Sequence, residues 1–329
     1  MVKVSIIVPV HNAGIYLERC LDTLINQTLQ EIEILLVLDC PTDGSDVVAK
    51  RYASKDSRIK IIENAENMHI GLSRNAGIDE AIGEYIGFSD HDDYRELNMY
   101  ENLYNSAKQN DSDIVLSAFG SDTHGVVTKI YYPENLNLEL QRKLVIGGYD
   151  INNEWSYFAQ NGGMWNKIYR RELIGDDIRF VDNRKATYED LLFLIEVSLK
   201  AKSISVVNEV YYYHAEDIDN ASSKYFFNDV NLVKNYLGKV YQILKENQVY
   251  EYYKLDFYKS VVNMVLVSAN NELKSTNPFS NKLKNLSVFK KEPYVKEAFK
   301  KLSLSDIIYP PTSKKSKYFR IALFNFYKF

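Results

Sequence analysis

The 329-residue sequence is poor in the residues that would tie it to an oxidising compartment or to a lipid bilayer. It has two cysteines, Cys20 and Cys40, which make neither a disulfide framework nor a zinc-binding spacing. No run approaches the ~18 uncharged apolar residues of a membrane span. The N-terminal apolar run Ser5-Ile6-Ile7-Val8 stops at Pro9, which is not the pattern of a secretory leader. Charge of one sign is also lacking: a formal net charge of −4 gives no signature of nucleic-acid binding. These absences lead us to expect a cytoplasmic protein, free or peripheral at the inner face of the cell membrane.

With 46% hydrophobic residues, the chain can bury a substantial core and does not read as disordered. The length fits one large domain with an appendage, or two modest ones. Charge is uneven, because residues 307–329 carry Lys314, Lys315, Lys317, Arg320 and Lys328 and no acid. The 26 tyrosines suit interfaces and carbohydrate contacts, but also an amphipathic core and rim.

The first half alternates two periodicities. Val4 to Val8, Ile34 to Leu38, Ile59 to Ile62 and Glu84 to Phe88 read as buried strands. Between them, Leu17, Leu21, Leu24 and Ile25 share one helical face, and helices are also expected over Asp46–Lys55 and Leu72–Ile82. Such alternation predicts an α/β fold, a mostly parallel sheet flanked by helices. Ligands of these sheets bind beyond the carboxyl ends of the strands, so the polar clusters after Val10, Leu38 and Phe88 should share one crevice. A further helix is expected from Glu189 to Lys200, and after about Tyr225 the pattern turns helical. The expected division is an N-terminal domain over 1–215 and a C-terminal helical region over 216–329.

Several residues at strand and helix ends can carry chemistry. Asp90 and Asp92, leaving the fourth strand, can present hard oxygen ligands to Mn²⁺ or Mg²⁺ while a substrate diphosphate completes the shell. Taken alone, the triplet reads equally as a solvated turn. Two other Asp-x-Asp triplets, Asp111-Ser112-Asp113 and Asp217-Ile218-Asp219, do not follow an apolar strand into the crevice. Asp39 can accept from a nucleobase N–H or a ribose hydroxyl, or simply form a turn before Pro41. The loop Pro9, Val10, His11, Asn12 can hold a nucleotide, or end a strand in the ordinary way. Arg74 can clamp a diphosphate through its planar fork, or sit on the surface. Thr42, Asp43 and Ser45 read as capping residues. Glu189 and Asp190 complement the dipole of the helix they open, or one of them is a general base. His214 reads as a metal ligand, a phosphate contact or a satisfied structural histidine.

The order of these motifs carries more information than any one of them. Ser5 to Asn12, Leu21 to Thr28, Thr42-Asp43-Gly44-Ser45, Ser73-Arg74-Asn75-Ala76-Gly77, Gly83 to Ile86, Asp90-His91-Asp92-Asp93, Trp165-Asn166-Lys167-Ile168-Tyr169 and Glu189-Asp190 occur in sequence. Over residues 1–215 they resemble the inverting family 2 glycosyltransferases of the GT-A fold, of bacterial surface-polysaccharide type. The resemblance implies a nucleotide-sugar donor, UDP-linked, with Pro9, His11, Asn12 and Asp39 around the nucleoside and Arg74 at the base or pyrophosphate. It implies Asp90 on the ribose side, Asp92 on the metal, and Trp165, Asn166 and Lys167 shaping the donor and acceptor pocket. Asp190 would be the catalytic base, with Glu189 beside it. The acceptor would be a saccharide, lipid-linked in many relatives, and the basic, aromatic C-terminus would rest on an anionic membrane or pack on the helical region. The chain departs from the family at Leu38, where an Asp is usual, so Asp39 stands without its usual partner. The alternative is a non-catalytic sugar-nucleotide or polysaccharide-binding protein on the same fold.

Overall fold

The structure is a computed structural model and describes residues 1–147, 163–215, 229–303 and 324–328. The chain divides into two compact units. The first comprises residues 1–138, 163–183 and 196–220, and the second 139–162, 184–195 and 221–329. The division is therefore interleaved, where the sequence suggested a single cut after residue 215. Two middle segments cluster with the C-terminal helices because they pair with them rather than with the sheet. The polar loop 216–224 expected as the boundary lies outside the described residues.

The first unit is built on one nine-stranded sheet ordered β3-β2-β1-β4-β8-β6-β9-β5, with β7 paired to β6. Its strands are β1 (Val4–Val10), β2 (Ile32–Leu38), β3 (Ile59–Glu63), β4 (Tyr85–Phe88), β5 (Tyr94–Arg95), β6 (Ile114–Thr123), β7 (Val126–Ile130), β8 (Lys167–Arg170) and β9 (Ile204–Ala215). The first four strands in this order run parallel, as the continuous apolar runs require. Beyond β4 the sheet turns mixed, since β8 is antiparallel to both β4 and β6. All seven residues of β1 and of β2 are buried. The helices α1 (Tyr16–Ile25), α2 (Ser45–Ala53), α3 (His69–Glu80) and α4 (Met99–Asn110) connect these strands. On α1 the buried stripe is Leu17, Cys20, Leu21 and Leu24, the i, i+4, i+7 face read from the sequence.

Two polar residues are embedded in this core. Glu33 on β2 accepts from the Ser5 hydroxyl, from Lys60 Nζ at 2.8 Å and from the Ile82 amide at 2.8 Å. The Ser5 hydroxyl in turn accepts from the Gly83 amide at 2.8 Å. A buried carboxylate is tolerated only when so satisfied, and this one ties β1, β2, β3 and the α3–β4 turn together. Gly83 is required there, since a Cβ would lie 2.6 Å from the Ser5 nitrogen.

Register sets the position of the site. Val10 pairs with Leu38 on one side of β1, and Ile7 pairs with Phe88 on the other. The carboxyl ends of β2, β1 and β4 therefore lie side by side, and the three polar clusters emerge next to one another.

The second unit holds α5 (Leu138–Gly147, save its first residue), the start of α7 (Glu189–Lys200), α8 (Val230–Glu246), α9 (Tyr250–Lys274), α10 (Phe279–Ser287) and α11 (Pro293–Lys301). The short α6 (Arg171–Ile174) belongs to the first unit. Asp229 caps α8, accepting from the Asn231 amide at 2.7 Å. Tyrosine serves as core here: Tyr236, Tyr250, Tyr253, Tyr258, Tyr294 and Tyr327 are buried. Tyr241 stacks on Tyr294 with centroids 5.2 Å apart. The C-terminal aromatics belong partly to this core. Phe324 and Tyr327 are each 3% exposed, Phe299 packs on both, and the Tyr327 hydroxyl donates to Leu286 O at 3.1 Å. Of the two readings of this aromatic run, packing on the helical region holds for these two rings, which are buried against α10 and α11. Lys314, Lys315, Lys317 and Arg320 lie outside the described residues.

Candidate active site

At the end of β2, Asp39 is 3% exposed and its carboxylate is held in place. Oδ1 accepts from Asn64 Nδ2 at 2.8 Å and from the Met68 amide at 2.7 Å. Both bonds fall on one oxygen, which leaves the carboxylate oriented and its second oxygen available for a base or ribose. The Asp39 carbonyl lies 2.6 Å from His11 Nδ1; a carbonyl only accepts, so His11 carries its proton on Nδ1 and donates. Asn12, at φ 50°, accepts on Oδ1 from the Thr42 amide at 2.7 Å. These bonds tie the β1 loop to the β2 loop and leave His11 and Asn12 exposed at the rim. Pro9 stays in the strand, buried, and contributes its carbonyl alone. Leu38, just before Asp39, is buried in the core. Asp43 accepts from the Ser45 amide at 3.0 Å in the turn before α2, but the N-cap there is Gly44, so the expected side-chain cap is not formed.

Beyond β4 the chain runs into Asp90-His91-Asp92-Asp93. His91 Nδ1 donates to Pro9 O at 3.0 Å, which fixes this loop to the β1 loop. Arg74 is no surface residue: it is 4% exposed, its Nη2 reaches Asp90 Oδ1 at 3.1 Å, and its guanidinium lies 5.3 Å from the Phe180 ring centre. It leaves α3 on the face turned to the loop, where Asn75 is bound to Phe180 O at 2.8 Å. Asp92 has its carbonyl engaged by Arg19 Nη2 at 2.7 Å. Burial, with the charges of Asp93 and Asp90 beside it, pushes the Asp92 carboxyl up to about 6.

The residue that sequence reasoning passed over is Asp93. It has no solvent exposure, and its carboxylate accepts from the Tyr212 hydroxyl at 2.6 Å and the Ala215 amide at 2.9 Å. His214 Nδ1 lies 3.2 Å from Asp93 Oδ1. Burial by itself would lower the imidazole; hydrogen bonding to Asp93, with the charges of the other two aspartates, overrides it and raises His214 to about 9. Trp165 lies flat against this pair, 4.5 Å from the Tyr212 ring and 5.7 Å from the His214 ring, with interplanar angles of 15° and 6°. Asp93 adjoins Asp92 in sequence and is set apart by its partners on β9, which no local pattern in the chain signals.

Asn166 and Lys167 have no solvent exposure. Asn166 donates to Ser117 O at 2.6 Å and Tyr132 Oη at 2.9 Å, and accepts from Lys167 Nζ at 2.7 Å. The Lys167 ammonium also donates to Gly163 O. Both side chains thus brace β8 against β6 and line no open pocket, a correction to the expectation drawn from the motif. The second triplet is structural too: Arg170 binds Asp111 at 2.7 Å and Asp113 at 3.0 Å. The third, Asp217-Ile218-Asp219, lies outside the described residues.

In the second unit, Glu189 and Asp190 open α7. Asp190 Oδ1 accepts from the Leu191 amide at 2.8 Å. Tyr188, directly before them, holds φ at 56°, a costly conformation for a bulky residue. Its ring is buried edge-to-face on Tyr236 at 5.3 Å.

Among the described residues, no three His, Cys, Asp or Glu side chains converge as a metal site by themselves. A cation held jointly with a substrate diphosphate needs only one or two carboxylates. Asp92, raised by its neighbours, is an anion that a divalent cation would relieve. The residues therefore fit a cation shared with a substrate diphosphate. With Nδ1 on Asp93, His214 keeps Nε2 for a phosphate, or for a metal once deprotonated.

Comparison with known proteins agrees with this geometry. The model of glycosyl transferase family 2 matches residues 5–176. A cholesterol galactosyltransferase of Borreliella burgdorferi is 34% identical over 67% of this chain and 62% of that protein, so the chain spans less than two thirds of its length. The uncharacterized glycosyltransferase EpsJ of Bacillus subtilis is 32% identical over 72% of this chain and 68% of that protein. The crystal structure of S. aureus TarS 1–349 in complex with UDP matches with a TM-score of 0.66 at 20% identity, covering 99% of this chain and 89% of that one. At that identity the likeness is one of fold, the GT-A fold expected from the motifs. The family match covers the strands from β1 to β8, Asp39 and the Asp90–Asp93 loop: this chain belongs to glycosyltransferase family 2.

Proposed function

We propose that this glycosyltransferase moves a sugar from a UDP-sugar to a hydroxyl of a saccharide acceptor in cell-surface polysaccharide assembly, with inversion at the anomeric carbon. The observation that carries the donor assignment is the side-by-side arrangement of a fixed carboxylate at Asp39 and the Asp90–Asp93 loop, the latter held by Arg74 on Asp90 and by His91 on Pro9 O of β1. Asp39 would accept from the uracil N–H and Asp90, already bound to Arg74, would face the ribose. Asp92, with Asp90, would hold Mn²⁺ or Mg²⁺ together with the diphosphate oxygens. The cation supplies neutralisation of the leaving diphosphate. His214, kept in place by Asp93, would contact the same diphosphate. The bound UDP of the solved relative supports the choice of nucleotide.

Asp190 would accept the acceptor's proton as its oxygen attacks from the face opposite the leaving group. One C–O bond forms and one breaks, so an α-linked donor gives a β-glycoside. One carboxylate suffices for this displacement, whereas hydrolytic glycosidases use a pair. The named activity of the Borreliella relative makes a lipid-borne hydroxyl a second acceptor to test.

The test is calorimetric titration of UDP with Mn²⁺, followed by turnover of a panel of nucleotide sugars. Wild type should bind UDP only with the metal present, and Asp92→Ala should lose that dependence without unfolding. Equal UDP affinity in wild type and variant removes Asp92 from the role; turnover of no nucleotide sugar favours a binding protein.

A further inference from the structure

We propose that α10 is a docking surface for an anionic membrane, inserting Phe279 and Leu283 between headgroups that its lysines attract. The inference is independent of the donor and metal assignments. On α10, Phe279, Leu283 and Leu286 fall on one stripe at i, i+4 and i+7. Leu286 is buried at the far end, but Phe279 is 69% exposed and Leu283 44% exposed. The apolar stripe of this helix thus runs out of the core into solvent, where it leaves apolar surface in water without a contact that repays it. The helix is also fixed by its polar flank. Lys282 Nζ donates to Leu273 O at 2.8 Å and Ser275 O at 2.7 Å, and Asn285 donates to Glu272 at 3.0 Å. These bonds anchor α10 to the end of α9 and hold the exposed stripe outward.

Charge decides the partner. From Lys274 to Lys291 the chain carries five lysines and no acid, although the whole protein is at −4. Lys274, Lys284, Lys290 and Lys291 are exposed and form no ion pair among the described residues. Lys290 instead lies 4.0 Å from the ring centre of Phe326, itself 38% exposed. A segment that carries four uncompensated lysines and an exposed Phe–Leu pair is matched to a surface that is anionic and apolar just beneath. A bilayer with acidic headgroups has both properties, and two weak signals together give reversible binding where one does not.

Flotation of the full chain tests this, using vesicles of phosphatidylcholine alone and of phosphatidylcholine with an equal part of phosphatidylglycerol. The expected result is binding to the mixed vesicles only, reduced on the order of tenfold or more by Lys274→Glu/Lys284→Glu and by raised salt. Phe279→Ser/Leu283→Ser should reduce it comparably while thermal unfolding and UDP binding stay as in wild type, since both side chains are exposed. Absence of binding to either vesicle overturns the proposal. So does binding that ignores the α10 variants and is lost with Lys314→Glu/Lys315→Glu/Lys317→Glu, which would move the contact to the C-terminal segment. A change of oligomeric state in Phe279→Ser/Leu283→Ser without vesicle binding would assign the stripe to a second copy and overturn it equally.

Discussion

Replacing Asp93 by Asn tests whether the buried carboxylate sets the charge of His214. Asp93 accepts from Tyr212 and Ala215 and faces the imidazole at 3.2 Å, with no exposure to water. The side chain of His214 is 30% exposed, so solvent screens the pair only in part. Raising the imidazole from its ordinary 6.5 to about 9 corresponds to ~3 kcal/mol of interaction favouring its charged form. The sign follows from linkage: a folded-state value above the unfolded one adds stability that is complete below pH 6.5 and is lost as pH rises through about 9. Urea unfolding of metal-free protein in chelator, at pH 6.0, 7.5 and 9.0 — roughly spanning that window — should therefore show stability falling by ~2–3 kcal/mol more in wild type than in Asp93→Asn. The His214 ring proton resonances should titrate near 9 in wild type and closer to 6.5 in the variant. At neutral pH the variant should itself be ~1.5–3 kcal/mol less stable, the usual loss for a hydrogen bond to a charged group. A His214 that titrates near 6.5 in wild type, or parallel pH–stability curves for the two proteins, would refute the coupling.

Three further outcomes are expected. Asp190→Asn should leave UDP affinity within a few-fold of wild type and slow transfer by at least the ~10²-fold of a lost general base, measured by product formation at saturating donor; near-normal transfer would shift the role to Glu189. Asp39→Ala should weaken UDP more than free pyrophosphate in calorimetry, if the carboxylate oriented by Asn64 and Met68 receives the nucleoside as proposed; equal losses would make Asp39 a loop brace. Gly83→Ala should lower stability by about 1–3 kcal/mol or more, the cost of overpacking against the β1 backbone, read as a shift in the urea midpoint; an unshifted midpoint would mean that the turn gives way freely.

Much of the site's frame was legible from residue order. Continuous apolar runs at β1, β2 and β4 imply parallel strands, and a parallel sheet aligns their carboxyl ends; the convergence of Asp39, His11 and the Asp90–Asp93 loop follows from that rule. The turn at Asp43 was equally local and readable, although the N-cap of α2 is Gly44 and the Ser45 hydroxyl accepts from the Ala13 amide instead of capping. The side chains of Asn166 and Lys167 were misplaced because a motif records which residues recur and not which way a β8 residue faces. Arg74 reads as a surface residue by composition, and only its contact with Asp90 and Phe180 identifies it as buried.

The sequence by itself determined the elements, the parallel half of the sheet, the family and the loops at which chemistry would gather, since these depend on periodicity and local turn chemistry over a few residues. Only the tertiary structure showed that one carboxylate of the loop, Asp93, is a buried brace. Asp92 and Asp93 are adjacent and chemically identical in the chain, but the partners that bury Asp93, Tyr212, His214 and Ala215, come from a strand some 120 residues away. The same holds for the C-terminal aromatics. Their spacing does not distinguish core from interface; the surfaces of Phe289, Phe299 and Leu286 took up Phe324 and Tyr327, while α10 was left with an apolar stripe facing water.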